Sequence, residues 1–174
     1  FDHTGGNELL AGNGFLILAH VNCHANMSRR IEFTDLNMVF EASPEIARPV
    51  VTFGNAGLTL HAPKELRLTK IAPAHTDSDV VTYFPHADVL HTGDLFFNGM
   101  FPVIDVTTGG SLAGMILSTA ELRDLCTDKT RVIPGHGPMA SKADFTRQLD
   151  LLTLTRDRLR PFAEKNTPLD DVLK

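Results

Sequence analysis

The chain begins with FDHTGGN at residues 1–7, where a carboxylate and an imidazole directly precede paired glycines. Three later stretches carry the same kinds of side chain: AHTD at residues 74–77, HTGD at residues 91–94 and PGHGP at residues 134–138. Each lies on a loop or follows a predicted strand, and hydrolytic metal sites need neutral imidazoles and carboxylates that converge from such positions. A single loop histidine would mean little, but these four stretches together predict one metal-binding site.

Length and composition set the class of protein. The 174 residues are 43% hydrophobic and 21% charged, which is ordinary for a globular chain with one core. We therefore expect a single domain over residues 1–174. The net charge of −5 and the scattered Lys and Arg residues argue against a nucleic-acid partner. No apolar run approaches the roughly 18 residues that a membrane span needs, so a membrane is not expected as a partner either.

Two cysteines, Cys23 and Cys126, are too few for a disulfide scaffold, and neither has the CxxC spacing of a thiolate zinc site. Both are interpreted as small apolar residues that are buried or half-buried. Residue 1 is Phe rather than Met, so the chain is expected to be a fragment or a processed form. The sequence assigns no compartment: cytoplasmic and periplasmic or secreted locations both stay open.

The first 50 residues show weak local patterns. A short helix is predicted over residues 5–11, followed by a strand over residues 15–18 of the apolar kind that is buried on both faces. Residues 21–30 are predicted to be helical and polar. Residues 31–50 contain two prolines and are predicted to be mostly loop with one short element.

The remainder of the chain is easier to interpret. Two hairpins are predicted, the first pairing residues 58–61 with 65–71 and the second pairing residues 79–84 with 89–92. A helix should begin after Ser111, a short strand should span residues 131–133, and a long helix should follow a capping box formed by Ser141 and Asp144. Pro161 should end or kink that helix. Its buried face is predicted to hold Phe145, Leu149, Leu152 and Leu159. The result is one α/β domain.

In their order, spacing and residue types, the four motifs resemble the metallo-β-lactamase superfamily over nearly the whole chain. The resemblance implies the αββα sandwich of that family, here without its N-terminal strands, and a bacterial source. The family pattern is His-x-His-x-Asp-His in a first loop, then a His, a bridging Asp or Cys, and a final His. Asp2 and His3 match the end of that first loop, so its first half would lie before Phe1.

The resemblance also implies two metal positions. One would be held by Asp2, His3, Asp94 and His136; the other would be held by His75, the shared Asp94 and residues upstream of Phe1. It implies up to two zinc ions, although iron or manganese accept the same ligands. A metal-bound hydroxide would attack the carbonyl of an ester, thioester, lactone or amide, with Asp2 orienting the water and accepting its proton. The implied partner is a small-molecule substrate, and the oligomeric state is left open.

Other members of the superfamily provide alternatives. Zinc β-lactamases of the commonest type have a bridging Cys and a Lys three residues later, where this chain has Asp94 and Phe97. Efficient β-lactam hydrolysis is therefore not expected. An iron-dependent oxidoreductase resembling flavodiiron proteins or persulfide dioxygenases stays open, because the residues that would separate it lie upstream. An inactive fragment is the third alternative.

Several residues near the motifs received two interpretations. Asp77 and Asp79 could hold the free ring N–H of His75 or could simply form a turn. His91 could support Asp94 or could be a satisfied core histidine, and the second is favoured. Phe97 and Asn98 belong to an apolar segment, residues 96–101, that could line a pocket or cover the sheet edge. The other histidines are interpreted as surface residues, namely His20, His24, His61 and His86.

Overall fold

The fold is built from three sheets and the helices that cover them, as described for residues 2–33, 37–61 and 63–173 in a computed structural model. The strands are β1 (Leu18–His20), β2 (Ile31–Phe33), β3 (Met38–Phe40), β4 (Val51–Phe53), β5 (Leu58–Leu60), β6 (Leu66–Lys70), β7 (Val80–Phe84), β8 (Val89–Phe97) and β9 (Arg131–His136). The α-helices are α1 (Asn7–Gly12), α2 (Val21–Met27), α3 (Leu112–Leu125), α4 (Lys142–Glu164) and α5 (Leu169–Val172). Short 3₁₀ turns lie at Glu45–Ala47, Pro85–Ala87 and Val106–Thr108.

The largest sheet has the strand order β5-β6-β7-β8-β9. Its first four strands are antiparallel neighbours, which confirms both predicted hairpins, while β9 runs parallel to β8 after the crossover through α3. β8 and β9 are longer than predicted, because their pairing resumes after register shifts on either side of Gly93. These extensions carry β8 through Asp94 and bring β9 to His136.

The main hydrophobic core lies where α3 and α4 pack on this sheet. Met115 and Leu122 of α3, Phe145 and Leu152 of α4, and Val132 of β9 are fully buried in it. Each such side chain contributes about 1.5–3 kcal/mol relative to leaving it exposed. Both helices begin as predicted: the Ser111 hydroxyl accepts a hydrogen bond from the Gly114 N–H, and Ser141 with Asp144 forms the capping box. The core therefore fixes β8 and β9.

The second half of α4 departs from the sequence prediction. Its buried residues are Phe145, Gln148 and Leu152, whereas Leu159 is exposed. Burial ends at Leu152, so the apolar periodicity of α4 extends past the part of the helix that packs against the core. Pro161 lies inside the helix, which continues to Glu164. Of the two effects predicted for Pro161, ending the helix is wrong, because an exposed final turn tolerates the missing backbone hydrogen bond; a kink at Pro161 stays a prediction.

The N-terminal part also differs from its prediction. Phe15 and Leu16 are 62% and 68% exposed and precede β1, so a strand buried on both faces over residues 15–18 is wrong. β1 pairs with β4 in a parallel two-stranded sheet, which is too narrow to bury such residues. Residues 31–50 contain more structure than expected: β2 and β3 form an antiparallel hairpin, with residues 34–36 between them outside the described ranges.

In the described part of the chain, no helix has both the length and the apolar character needed to cross a membrane.

Candidate metal centre

The side chains of the candidate site come from both ends of the chain. Asp2 and His3 lie on the loop before α1, His75 lies on the loop between β6 and β7, Asp94 lies in β8, and His136 ends β9. The parallel register of β8 and β9 places Gly93 opposite Pro134 and Phe97 opposite His136. This register explains why motifs about 40 residues apart in sequence meet at one edge of the sheet.

Four of these residues converge on one point. Asp2, His3, Asp94 and His136 each offer a ligand atom, and these atoms lie within 4.8 Å of one another. The Nε2 atoms of His3 and His136 are 3.1 Å apart, and they lie 3.1 and 3.4 Å from Oδ1 of Asp94. Oδ2 of Asp2 lies 3.4 Å from His3 Nε2 and 3.2 Å from His136 Nε2. The four residues that the sequence analysis assigned to one metal position therefore lie close together.

These separations have the scale of a tetrahedral metal site. Metal–nitrogen and metal–oxygen distances near 2.1 Å give ligand-to-ligand edges of about 3.4 Å in tetrahedral geometry. The five separations above range from 3.1 to 3.4 Å. Two imidazoles and two carboxylates also form the donor set that zinc, iron and manganese accept. The residues present therefore fit a metal ion.

The two carboxylate oxygens of Asp94 lie near different histidines. Its Oδ1 points to His3 and His136, and its Oδ2 lies 3.4 Å from Nε2 of His75. Oδ1 is buried and accepts no hydrogen bond from the described residues, and such an atom is costly unless a cation satisfies it. An oxygen on each side is the arrangement that a carboxylate shared by two metal positions requires.

His75 is oriented by the main chain. Its Nδ1 lies 2.8 Å from the carbonyl oxygen of Val103. A carbonyl can only accept, so in the neutral ring Nδ1 carries the proton and the lone pair of Nε2 faces Asp94. Hydrogen bonding of the distal nitrogen is the usual way in which a metal-ligating histidine is held. Val103 had no sequence signal, because a backbone carbonyl belongs to every residue.

Two neighbouring residues, Phe97 and Gly135, pack directly against the candidate ligands. The ring of Phe97 is buried and stacks on His136 with centroids 4.8 Å apart and planes 20° apart, and it also lies 6.2 Å from the His75 ring. Gly135 packs so closely on β8 that a Cβ there would overlap Oδ1 of Asp94. Phe97 thus limits water access, and Gly135 leaves the room that the Asp94 carboxylate occupies.

The Asp2 carboxyl stays ionised to a lower pH than usual. Partial burial acts to raise its pKa, but a backbone hydrogen bond and the nearby His3 outweigh burial and lower the pKa. An anionic Asp2 suits both a ligand and a proton acceptor.

The structure decides between the two interpretations of Asp77 and Asp79, which were to hold the His75 ring or to form a turn. Asp79 accepts hydrogen bonds from the N–H groups of Ala74 and Thr76, and is therefore a turn former. Asp77 accepts from the side chains of Asn22 and Asn26 on α2. Because Nδ1 of His75 is bonded to Val103, neither carboxylate takes the role of holding that ring.

The structure corrects the predicted environments of two of the remaining histidines, His91 and His20. His91 is exposed rather than a core residue, since side chains alternate along β8 and those of Leu90 and Thr92 are the buried ones. Its Nδ1 accepts from the Gly93 N–H. His20 is 3% exposed rather than on the surface, because its ring caps α2 by accepting from the Asn22 N–H and also contacts Asn55. His61 and His86 are exposed, as predicted.

A cavity of about 560 Å³ opens beside the metal donors. Phe97 lines it, as one interpretation expected, whereas Asn98 instead donates from its side-chain amide to the carbonyl of Pro138. The hairpin β2–β3 also lines the cavity, through Phe33, Met38 and Phe40. The sequence analysis missed these three residues. The available signals were the apolar-x-apolar pattern at 31–33 and the apolar run at 38–40, and three residues are too few for a strand pattern to be distinctive.

Solved structures with the same fold include several metal-dependent enzymes. A metallo-beta-lactamase from Pontibacter korlensis is 21% identical with a TM-score of 0.67, and the alignment covers 87% of this chain and 64% of that one. FIM-1 from Pseudomonas aeruginosa, solved in a mono-zinc form, is 18% identical with a TM-score of 0.61, covering 87% and 62%. TTHA1623, solved in a di-iron-bound form, is 24% identical with a TM-score of 0.64, covering 85% and 71%.

These likenesses confirm the predicted fold class. The chain spans somewhat less than two thirds of the first of these neighbours, and no curated protein matches it in sequence. The profile of the metallo-beta-lactamase superfamily matches residues 1–137, which include all five candidate ligands. Because this match extends over most of the sequence, the chain belongs to the metallo-beta-lactamase superfamily.

Proposed function

We propose that residues 1–174 form one metallo-β-lactamase-like domain of a metal-dependent hydrolase that acts on an ester, thioester, lactone or amide carbonyl. The observation that carries this proposal is the set of 3.1–3.4 Å separations among Asp2, His3, Asp94 and His136. His75 and the second oxygen of Asp94 are the donors assigned to the other metal position. Zinc is the favoured ion, because imidazole and carboxylate ligands suit it and hydrolysis needs no redox change.

A zinc held by Asp2, His3, Asp94 and His136 would supply Lewis acidity and would lower the pKa of a bound water to near 7. The protein's own contribution is positional. Asp2, which is half-exposed and lines the cavity, is assigned to orient the attacking water and to accept its proton through the carboxylate oxygen that is not the metal donor. Val103 holds His75 in one tautomer, and Phe97 keeps water from the back of His136. The proposed partner is a small-molecule substrate; the negative net charge favours neither a nucleic acid nor an anionic membrane surface.

The decisive experiment combines metal analysis with turnover. The described residues offer four donors at one position and two at the other, so we expect about one tightly bound zinc per chain by mass spectrometry. Zinc-loaded protein should hydrolyse chromogenic esters, and Asp94→Ala should abolish both zinc retention and turnover. Asp150→Ala on the exposed face of α4 is the matched control and should change neither. Unchanged turnover in Asp94→Ala would contradict the proposal.

A second candidate is an iron-dependent oxidoreductase on the same scaffold. The donor set accepts iron, and TTHA1623 has been solved with two irons. Protein purified without added metal would then be coloured and would contain iron. Colourless protein that contains zinc and no iron would exclude this alternative in favour of the hydrolase.

A further inference from the structure

The cavity beside the metal donors has a strongly apolar wall. Phe33, Met38 and Phe40 of the hairpin β2–β3 line it together with the metal donors. Further apolar lining comes from Phe97, Met100, Phe101, Val103, Ile104 and Val106. Its volume of about 560 Å³ lies within the range of small-molecule sites. A substrate held here would bury an apolar group.

The charged groups that line the cavity have one sign. Asp2, Asp94 and Asp105 line it, and no Lys or Arg does so within the described ranges. Asp105 is fixed in place, because its Oδ1 accepts from the N–H groups of Thr107 and Thr108. Asp2 and Asp94 are assigned to the metal, so Asp105 is the carboxylate left uncompensated when zinc is bound. An anionic group at the end of the substrate remote from the zinc would meet Asp105 and apolar side chains, which neither balance its charge nor solvate it.

We infer that this site selects substrates that are uncharged at the end remote from the reacting carbonyl and that carry a compact apolar acyl group. Phe33, Met38 and Phe40 are its specificity-determining residues. This inference rests on the proposed hydrolase function. It distinguishes apolar esters, thioesters and lactones from substrates that bear a carboxylate.

The hairpin is suited to this role. Phe33 and Phe40 contact edge to face with ring centroids 5.4 Å apart, and β2 lies against the Val106–Thr108 turn, which also lines the cavity. Side chains alternate along β3, so Met38 and Phe40 face the cavity while Val39 is exposed on the other side. Met38 is therefore placed to contact a substrate in the cavity, whereas the adjacent Val39 is not.

The first test compares acyl groups on zinc-loaded protein. From p-nitrophenyl acetate to butyrate to hexanoate, kcat/KM should rise about fourfold per methylene until the cavity is filled. Mono-p-nitrophenyl adipate, which has the hexanoate chain length with a terminal carboxylate, should be at least about tenfold poorer than the hexanoate. Equal turnover of the adipate and hexanoate esters would overturn the inference and leave the hydrolase proposal standing.

The second test places a cation on one side of the hairpin or on the other. Met38→Lys should raise kcat/KM for the adipate ester relative to the hexanoate ester by about tenfold. Val39→Lys adds the same charge on the opposite face and should leave that ratio unchanged. An equal effect of both variants would show that charge acts at long range rather than through the cavity wall, and would overturn the assignment to Met38.

A binding measurement separates this inference from turnover. With ¹³C-methyl-methionine labelling of the zinc-loaded protein, 2-octanone should shift the Met38 methyl resonance, whereas 7-oxooctanoate at the same concentration should not. A shift without hydrolysis of any ester would support the apolar site and contradict the hydrolase. Equal shifts from both ketones would overturn the charge selectivity, and a Met38 resonance unmoved by 2-octanone would overturn the site itself.

Discussion

The two parts of the chain differ in how they are packed. From Ile71 onward, buried apolar residues form a continuous core between the large sheet and the helices α3 and α4. Before residue 58, the described buried apolar residues are Ala47, Pro49 and Phe53, and large side chains such as Phe15 and Leu16 are exposed. The two parts nevertheless contribute to one site.

The difference appears in the candidate ligands themselves. The Asp94 side chain is 12% exposed and is fixed by the core strand that carries it, whereas the His3 side chain is 48% exposed on the first loop. A rigid part therefore presents Asp94, His75 and His136, and a loosely packed part brings Asp2 and His3 to them. A metal ion held by both would stabilise the N-terminal loop, since binding favours the state that binds.

The largest expected contrast is between two phenylalanines. Phe145→Ala removes a fully buried ring from the core and should lower the free energy of unfolding by about 3–5 kcal/mol. Phe15→Ala removes an exposed ring and should change it by less than about 0.5 kcal/mol. Urea unfolding monitored by circular dichroism measures both values. Similar losses in the two variants would show that the N-terminal part is packed as tightly as the core.

Two glycines test whether the rigid part sets the position of Asp94. A Cβ in Gly135→Ala would collide with Oδ1 of Asp94, so zinc affinity should fall by about 100-fold. Gly12→Ala at the end of α1 meets no atom within 4 Å and should bind zinc as the unmodified chain does. Competition with a chromogenic chelator measures both affinities. The assigned role of Gly135 fails if its variant folds and retains normal affinity.

The two cysteines, one in each part of the chain, should differ in their rate of alkylation. Burial, reinforced by Asp88, raises the pKa of Cys126 to about 11, and burial with Asp77 raises the pKa of the half-buried Cys23. Only thiolates react, so at pH 8 Cys126 should label with iodoacetamide on the order of 100-fold more slowly than a free thiol. Mass spectrometry of the labelled peptides should find Cys23 modified first.

The same shift predicts a pH dependence of stability. Because the pKa of Cys126 is raised on folding, its contribution is fully present below the unfolded value near 9 and is lost as pH rises through about 11. The urea midpoint should therefore decline over that window, and Cys126→Ala should remove this component of the decline. A decline that persists unchanged in Cys126→Ala would assign it to other groups.

The smallest expected effect concerns the link between the two parts. Asp77 accepts hydrogen bonds from Asn22 and Asn26 of α2, and its own N–H donates to the carbonyl of Thr108. Asp77→Ala should cost about 1–2 kcal/mol of stability, because the two amides lose a half-buried acceptor. Asp128→Ala on an exposed turn is the control and should be neutral. Equal stability of both variants would remove Asp77 from the link.

The sequence predicted the elements whose apolar pattern matches the surface they cover. The two hairpins, the start of α3 and the capping box at Ser141 each rest on local signals that tertiary packing reinforces. The strand expected at residues 15–18 failed for the opposite reason: its apolar run has no second layer among the described residues. Local pattern identifies apolar residues, and only the assembled layers decide which of them become buried.

The candidate site shows the same limit. Motif order and glycine framing predicted which residues meet, because loops and strand ends are where a sheet presents its functional groups. The Val103 carbonyl and the aromatic wall at Phe33 and Phe40 were not foreseen. Backbone groups carry no residue-specific signal, and strands of three residues fall below the length at which alternation is distinctive.

The hairpin β2–β3 is a separate two-stranded sheet, and its described strands hydrogen-bond to neither of the other two sheets. The residues that would hold metal lie on other elements. Substitutions that remodel the hairpin can therefore alter what the cavity admits without disturbing the strands that carry the candidate metal ligands. On this scaffold, the proposed substrate range and the candidate metal centre can therefore evolve independently, and a new preference can arise through a few side chains of one hairpin.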